Sequence, residues 1–327
     1  MATLLEVSDL KIEFELDEKY YSAVQGVSFS IREGETVGLV GESGCGKSVT
    51  SLAIMRLLNT SARVNGTVKF DDRDLLTLRE SDMRGVRGND ISMIFQEPMT
   101  SLNPVHRIGT QIAESLLLHK ELSPRAARVK VIDLLNQVGI PRAEQIVDDY
   151  PHQLSGGMRQ RVMIAMAMAC NPRLLIADEP TTALDVTIQA QILDLMRGLA
   201  KDSNMSILLI THDLGVVAEM CDRVAVMYAG RIVEEGPVRQ IFKNPQHPYT
   251  VGLLNSLPKL QGSRARLTPI DGNVPSLRNM PAGCRFAPRC PHAMDVCHEE
   301  PGFYEIEAGH HSRCWLHAES RQVESHV

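Results

Sequence analysis

The run Gly41-Glu-Ser-Gly-Cys-Gly-Lys-Ser48 constrains this chain more than any other stretch. It fits the spacing G-x-x-x-x-G-K-S/T. Glu35–Gly41 reads as a short buried strand entering it, and Lys47–Leu58 leaves it with Leu52, Met55 and Leu58 at helical steps. Glycines let the backbone curl until successive N–H groups point at one anion, and the helix start adds its positive dipole end. The expected phosphate contacts are Gly41, Ser43, Gly44, Cys45, Gly46, Lys47, Ser48 and Val49. Lys47 is expected to reach the β- and γ-phosphates and the Ser48 hydroxyl to hold Mg²⁺. A chance glycine-rich turn is the bland alternative, and the flanking strand and helix argue against it.

A matching acidic strand end lies downstream in Leu174-Leu-Ile-Ala-Asp-Glu179. Asp178 suits the Mg²⁺ shell and Glu179 a general base that polarises water. By itself an Asp-Glu pair is often a solvated loop; beside a phosphate loop it gains weight. Between the two, Leu154-Ser-Gly-Gly-Met158 opens an apolar helix and forms a second anion-binding nest. One ATP needs only one nest per subunit, so the economical reading gives Ser155, Gly156 and Gly157 to the nucleotide of a partner subunit. A simple N-cap would account for Ser155 alone.

Short strand patterns at Leu4–Leu16, Val24–Arg32, Ile91–Phe95, Leu174–Ala177, Ile207–Ile210 and Val224–Met227 alternate with helical ones. That alternation predicts an α/β fold with a largely parallel sheet covered on both faces. From Met99 to about Gln160, Ile112, Leu116, Val131, Leu134 and Leu135 recur at three- and four-residue steps, which predicts a helical insertion. With 34 basic against 40 acidic residues the net charge is −6, which argues against nucleic-acid binding through overall positive charge. The uncharged stretch near Val162–Pro172 is far short of the roughly 20 residues of a membrane span. Any membrane role is therefore expected to come through partners.

These motifs, with Gln96, Thr182-Ala-Leu-Asp185 and His212 in the same order, resemble those of ATP-binding cassette (ABC) ATPases from Leu4 to about Gly236. The resemblance implies a P-loop core with an N-terminal antiparallel β portion and an inserted helical subdomain. It implies that Gln96 senses Mg²⁺ and the attacking water, and that Mg²⁺ is held through Ser48, Gln96 and Asp178. His212 would contact the γ-phosphate and steady Glu179 and Asp185, and Asp185 would communicate across a dimer. An aromatic residue stacks on adenine in such proteins; Tyr21 is the candidate and Tyr20 the next. Met158 stands where glutamine is usual, and Cys45 where serine is common. A helix-start thiol is expected to have a lowered pKa, so alkylating Cys45 should block ATP binding and ATP should slow the labelling.

A closer resemblance, to ATPase subunits of bacterial dipeptide and oligopeptide importers, rests on four runs and the Cys-bearing tail. The runs are Phe95–Pro104, Tyr150–Leu154, Ala177–Val186 and Gln246–Thr250. It implies an ABC nucleotide-binding domain over 1–245, with the helical insertion at about 99–160, and a Cys-rich module over 246–327. Implied partners are a second, different ABC ATPase, two transmembrane permease subunits and, through them, a periplasmic or extracellular solute-binding protein. Nucleic acid is not among them. The implied location is peripheral, on the cytoplasmic face of the bacterial inner membrane. Export, or a soluble nucleic-acid or ribosome process, is the alternative. This sequence lacks the tandem cassettes, long coiled coil or basic stretches of the soluble class, and its peptide-importer tail argues against export.

Cys284, Cys290, Cys297 and Cys314 crowd a segment with little core of its own, where a metal commonly serves as a staple. Zn²⁺ would accept them, alone or with His292, His298, His310 or His311. The wide spacing and the Cys290-Pro291 pair favour a 4Fe–4S cluster, and the family resemblance leans the same way. Free structural cysteines remain the third reading.

Overall fold

The computed structural model describes residues 2–96, 101–182, 184–256 and 269–321. In chain order, β1 (Thr3–Leu16), β2 (Lys19–Arg32) and β3 (Thr36–Val40) precede α1 (Lys47–Ile54), β4 (Ala62–Phe70), β5 (Arg73–Asp74) and α2 (Glu80–Val86). Next come β6 (Ile91–Ile94), α3 (Ile108–His119), α4 (Pro124–Gln137), α5 (Ala143–Ile146), α6 (Gly156–Met168) and β7 (Leu174–Asp178). The chain continues through α7 (Val186–Ser203), β8 (Ser206–Thr211), α8 (Leu214–Met220), β9 (Arg223–Tyr228) and β10 (Arg231–Pro237). Two short helices, α9 (Val238–Lys243) and α10 (Pro248–Asn255), and a hairpin of β11 (Tyr304–Glu307) and β12 (His310–Ser312) follow. The chain divides into two compact units.

One unit holds the chain up to Leu4, Ile31–Thr36 and Thr77–Ile210. Its strands β6, β7 and β8 are parallel, with Ile91 opposite Leu174 and Leu174 opposite Ser206. Every residue of β7 and β8 is buried, and parallel strands covered on both faces require such continuous apolar runs. Helices α3 and α4 turn Ile112, Leu116, Val131, Leu134 and Leu135 inward, at the spacing seen in the sequence. At the start of α4 the Ser123 hydroxyl accepts from Ala126 N–H and Pro124 fills the first turn, a cap contributing about 1 kcal/mol. Residues 97–100, where the Phe95–Pro104 motif and the expected start at Met99 fall, lie outside the described residues, as does Ala183.

The other unit holds Leu5–Ser30, Val37–Leu76 and everything from Thr211 onward. Four strands run in the order β2-β1-β4-β5, with β4 antiparallel to both its neighbours. A second set runs β11-β12-β10-β9-β3. Here β3 is parallel to β9, whereas β10, β12 and β11 continue antiparallel. The expected largely parallel sheet is therefore mixed in this unit, because hairpin connections rather than crossover helices join β9 to β10 and β11 to β12.

Helix α1 stops at Ile54 instead of Leu58. Arg56 takes a left-handed φ of 51°, and Leu57 N–H reaches back 2.8 Å to Leu52 C=O, the closure that terminates a helix. Strand β6 ends at Ile94, and the Phe95 side chain is exposed. The Gln246–Thr250 run leads into helix α10, Pro248–Asn255, and residues 257–268 lie outside the described residues.

Candidate functional site

In the second unit β3 enters the loop 41–46, which hands over to α1. A Cβ on Gly41 would lie 2.1 Å from the Met227 carbonyl oxygen, so no other residue fits there. Gly46 caps α1 at φ 104°, and the Cys45 carbonyl accepts from Gly230 N–H at 2.8 Å, tying the loop to the β9–β10 turn. Lys47 is 5% exposed; its ammonium curls back over the loop to the carbonyls of Gly41 (2.8 Å) and Glu42 (3.1 Å). Ser43 and Gly44 are exposed, and Ser48 and Val49 half-buried.

The loop corrects one expectation. The Cys45 thiol is buried, and burial pushes its pKa up although the Lys47 ammonium, 3.7 Å from the sulfur, opposes the rise. A helix-start thiol is activated only where solvent can reach it. The expectation of a lowered pKa is overturned by this burial.

Tyr20 is engaged elsewhere. The Arg63 guanidinium lies 3.4 Å over its ring, and its hydroxyl donates to Glu15 at 2.9 Å. Tyr21, the first candidate, is half-buried on β2. His212 is exposed at the turn between β8 and α8. Its neighbours shape that turn: Asp213 N–H donates to Thr211 Oγ1 at 3.0 Å, and the Asp213 carboxylate accepts from Gly215 N–H at 2.8 Å.

The first unit brings three polar side chains together at the end of β7. Gln96 Nε2 donates to Glu179 Oε2 at 3.1 Å, and Thr182 Oγ1 donates to the same oxygen at 2.9 Å. Glu179 itself takes a left-handed φ of 48°, and its N–H donates to the Ile210 carbonyl at 2.8 Å. Asp178, one residue earlier, is 3% exposed. Thr182 lies in a motif already singled out, but its hold on Glu179 was not foreseen.

In the same unit Ser155 caps α6, its oxygen accepting from Met158 N–H at 3.4 Å, and Ser155 and Gly156 are exposed. Gly157 fits closely beside α7: a Cβ on it would meet Ile188 Cγ2 at 3.0 Å. Asp185 caps α7 by accepting from Ile188 N–H at 3.0 Å. Ser155 thus fills the N-cap role that the bland reading gives it, and Asp185 fills the same role at α7.

The four tail cysteines lie among turns and short 3₁₀ segments. Cys284 N–H donates to the Cys297 carbonyl at 3.0 Å. The Cys290 sulfur accepts from His292 N–H and the Cys297 sulfur from Met294 N–H, each at 3.4 Å. Burial raises the thiols of Cys284, Cys290 and Cys314, the last to about 11, with neighbouring cysteine thiolates adding to the rise. Among the described residues no group of three or more His, Cys, Asp or Glu side chains is arranged to hold a metal ion.

Sequence reasoning missed the contacts that the C-terminal region makes with residue 42. The Tyr249 hydroxyl accepts from Glu42 N–H at 2.9 Å, and Arg289 pairs with the Glu42 carboxylate at 2.8 and 3.2 Å. Tyr249 is held by the cap of α10, where His247 Nδ1 accepts its N–H at 3.0 Å. Burial lowers the His247 pKa to about 4, so the ring stays neutral and can accept. The only sequence signal was the Gln246–Thr250 run, together with an arginine directly before Cys290.

A family profile described as ABC transporter matches residues 24–182, and one described as oligopeptide/dipeptide transporter, C-terminal region, matches 233–297. The chain is 56% identical to the oligopeptide transport ATP-binding protein AppD of Bacillus subtilis, across 99% of this chain and 100% of that one. It is 50% identical to the oligopeptide transport ATP-binding protein OppD of Salmonella typhimurium, across 95% and 93% of the two chains. A solved dimer of an ATP-binding cassette in a post-hydrolysis state with ADP and phosphate matches at 27% identity and a TM-score of 0.65. That match covers 72% of this chain and 99% of the other.

Proposed function

The chain belongs to the ATP-binding subunits of oligopeptide and dipeptide ABC transporters, and from that premise we propose how its residues divide the work. It is an ATPase whose hydrolysis drives uptake of di- or oligopeptides, or a related small solute, through membrane permeases. Amides of Gly41, Ser43, Gly44, Cys45, Gly46, Lys47, Ser48 and Val49, with the Lys47 ammonium, hold the phosphates. Tyr21 stacks on adenine. Ser48, Gln96 and Asp178 offer a hydroxyl, an amide carbonyl and a carboxylate, hard oxygen donors that suit Mg²⁺. When bound, that ion neutralises charge on the phosphate oxygens.

The general base is Glu179. Its carboxylate is already steered by Gln96 and Thr182, and this arrangement is the observation that carries the catalytic reading. His212 contacts the γ-phosphate. Ser155, Gly156 and Gly157 serve the nucleotide of a partner cassette, and Asp185 reports across that interface. ATP closes the two cassettes together and hydrolysis lets them part, which moves the permeases, a population shift driven by the tighter binding of ATP to the closed dimer.

Several finer points extend this reading. The partner is a second, different ABC ATPase, and a solute-binding protein delivers cargo to the permeases. Helices α3 to α5 form the inserted subdomain that receives a permease helix. The subunit lies peripherally on the cytoplasmic face of the membrane; among the described residues no helix is long and apolar enough to cross it. For the tail, the reading of a 4Fe–4S cluster rests on the wide cysteine spacing and the Cys290-Pro291 pair, while among the described residues no group of three or more ligand side chains is arranged to hold a metal ion. Iron, sulfide and zinc analysis of anaerobically purified protein decides between cluster, zinc and free cysteines.

The function is tested by purifying the tagged chain from native membranes. Two multi-span permeases and a second cassette are the expected companions. Ribosomal or DNA-repair companions without a permease would overturn transport.

A further inference from the structure

The phosphate loop is gripped at its second residue from three sides. Glu42 N–H donates to the hydroxyl of Tyr249, its carbonyl accepts from Lys47 Nζ, and its carboxylate meets Arg289 in a two-pronged ion pair. Tyr249 and Arg289 both come from the C-terminal region that follows β10. Tyr249 is fully buried, its ring 4.6 Å from Tyr228 and 5.5 Å from Phe286 between centroids. The Arg289 side chain is 6% exposed and that of Glu42 28%. The remaining arginine donors are also engaged: Nε with the Asp271 carbonyl at 2.9 Å, Nη2 with the Ile270 carbonyl at 3.2 Å, and Nη1 with the Tyr228 hydroxyl at 3.3 Å.

We propose that Arg289, assisted by Tyr249, is a positioning residue for nucleotide binding: it presets the phosphate loop through Glu42 and cancels the charge of that carboxylate. The inference rests on the ATPase reading above and adds a role for the C-terminal region within it. Two physical arguments lead there. A phosphate loop aims several N–H dipoles at one point, and without an anion these repel one another, so the empty loop tends to relax. Fixing residue 42 by its N–H, its carbonyl and its side chain removes that freedom before ATP arrives, and preorganisation lowers the cost of binding. Secondly, Glu42 places a carboxylate in the loop that must receive a triphosphate. Left unpaired in a half-buried site it would repel the ligand; the fixed guanidinium neutralises it. Lysine could supply the charge but not the planar fork.

The test is titration of the full-length chain with a fluorescent ATP analogue, together with ATPase kinetics in the assembled transporter. Arg289→Met should weaken ATP binding about tenfold and raise KM for ATP similarly, with kcat at saturating ATP kept within about twofold. Adding Glu42→Gln should recover part of the affinity, the share owed to the uncancelled charge, while the loss of the clamp on the loop remains. Arg289→Lys should fall between Arg289→Met and the parent. Affinity of Arg289→Met within about twofold of the parent would overturn the proposal, and so would equal weakening in the single and double variants. Should Arg289→Met fail to fold, Tyr249→Phe and Arg289→Lys keep the packing; parent-like affinity in both is then the overturning result. A parent chain that binds no ATP, with Lys47→Ala indistinguishable from it, defeats the ATPase reading itself, an outcome distinct from failure of the Arg289 variants alone.

Discussion

Two turns that follow buried strands solve the same backbone problem in opposite ways. After β3, the phosphate loop meets its unusual dihedral angles with glycine: φ is 151° at Gly41, 78° at Gly44 and 104° at Gly46. After β7, the residue that takes the left-handed φ of 48° is Glu179, a side chain with no natural ease there. The difference follows from which part of the residue does the chemistry. In the loop the backbone N–H groups are the working parts, and side chains would only obstruct the anion. At the strand end the carboxylate is the working part, so glycine is ruled out. The strain of about 1–3 kcal/mol persists because Gln96, Thr182 and the Ile210 carbonyl fix the residue from three directions.

The largest effect should come from Gly41→Ala. Its Cβ would be driven to 2.1 Å from the Met227 carbonyl, a backbone atom that cannot swing aside, so the loop must open. ATP binding by the otherwise folded chain should weaken by about a hundredfold or more; affinity near that of the parent would show that the loop need not be held in this form. Next comes Glu179→Gln, which keeps the size and the strained backbone but removes the base. Turnover should fall by about 10²–10⁴ while ATP binding is retained and a closed dimer accumulates in gel filtration. Full turnover would remove Glu179 from the general-base role. Third, Glu179→Gly should abolish turnover equally yet stabilise the unit by roughly 1 kcal/mol in chemical denaturation, because glycine relieves the left-handed strain. A chain destabilised by that change would mean that the contacts to the carboxylate outweigh the strain.

Legibility in the sequence followed the range of the forces involved. The phosphate loop could be read because its constraint is local: glycine, lysine and serine at fixed offsets between a strand and a helix. The β7 end could be read as Asp178-Glu179 after an apolar run, but not the grip of Thr182 on Glu179, which depends on the turn between them. Cys45 was misjudged because a helix-start argument concerns the dipole, whereas burial beneath the loop decides the thiol. The extent of α1 was overdrawn because Leu57 and Leu58 continue the apolar rhythm after Arg56 has already turned left-handed. Least legible was the pairing of Glu42 with Arg289. The two lie 247 positions apart, and neither residue type signals a partner in advance.

The smallest effect separates two costs that the loop glycines combine. Gly44 has a left-handed φ of 78°, like a residue chosen for its dihedral, but nothing lies within 4 Å of where its Cβ would be. Gly41 is excluded by contact, Gly44 only by conformation. Gly44→Ala should therefore cost about 1 kcal/mol, read as a roughly fivefold weaker ATP affinity, against the far larger loss at Gly41. If Gly44→Ala matched Gly41→Ala, the space above Gly44 would be needed by the phosphate itself, and the exposed stretch Ser43–Gly44 would be the surface on which the anion sits. If it cost nothing, the dihedral at Gly44 would be set by its neighbours rather than by glycine. The contrast with Glu179 would then narrow to Gly41 and Gly46, whose backbones pack against the chain.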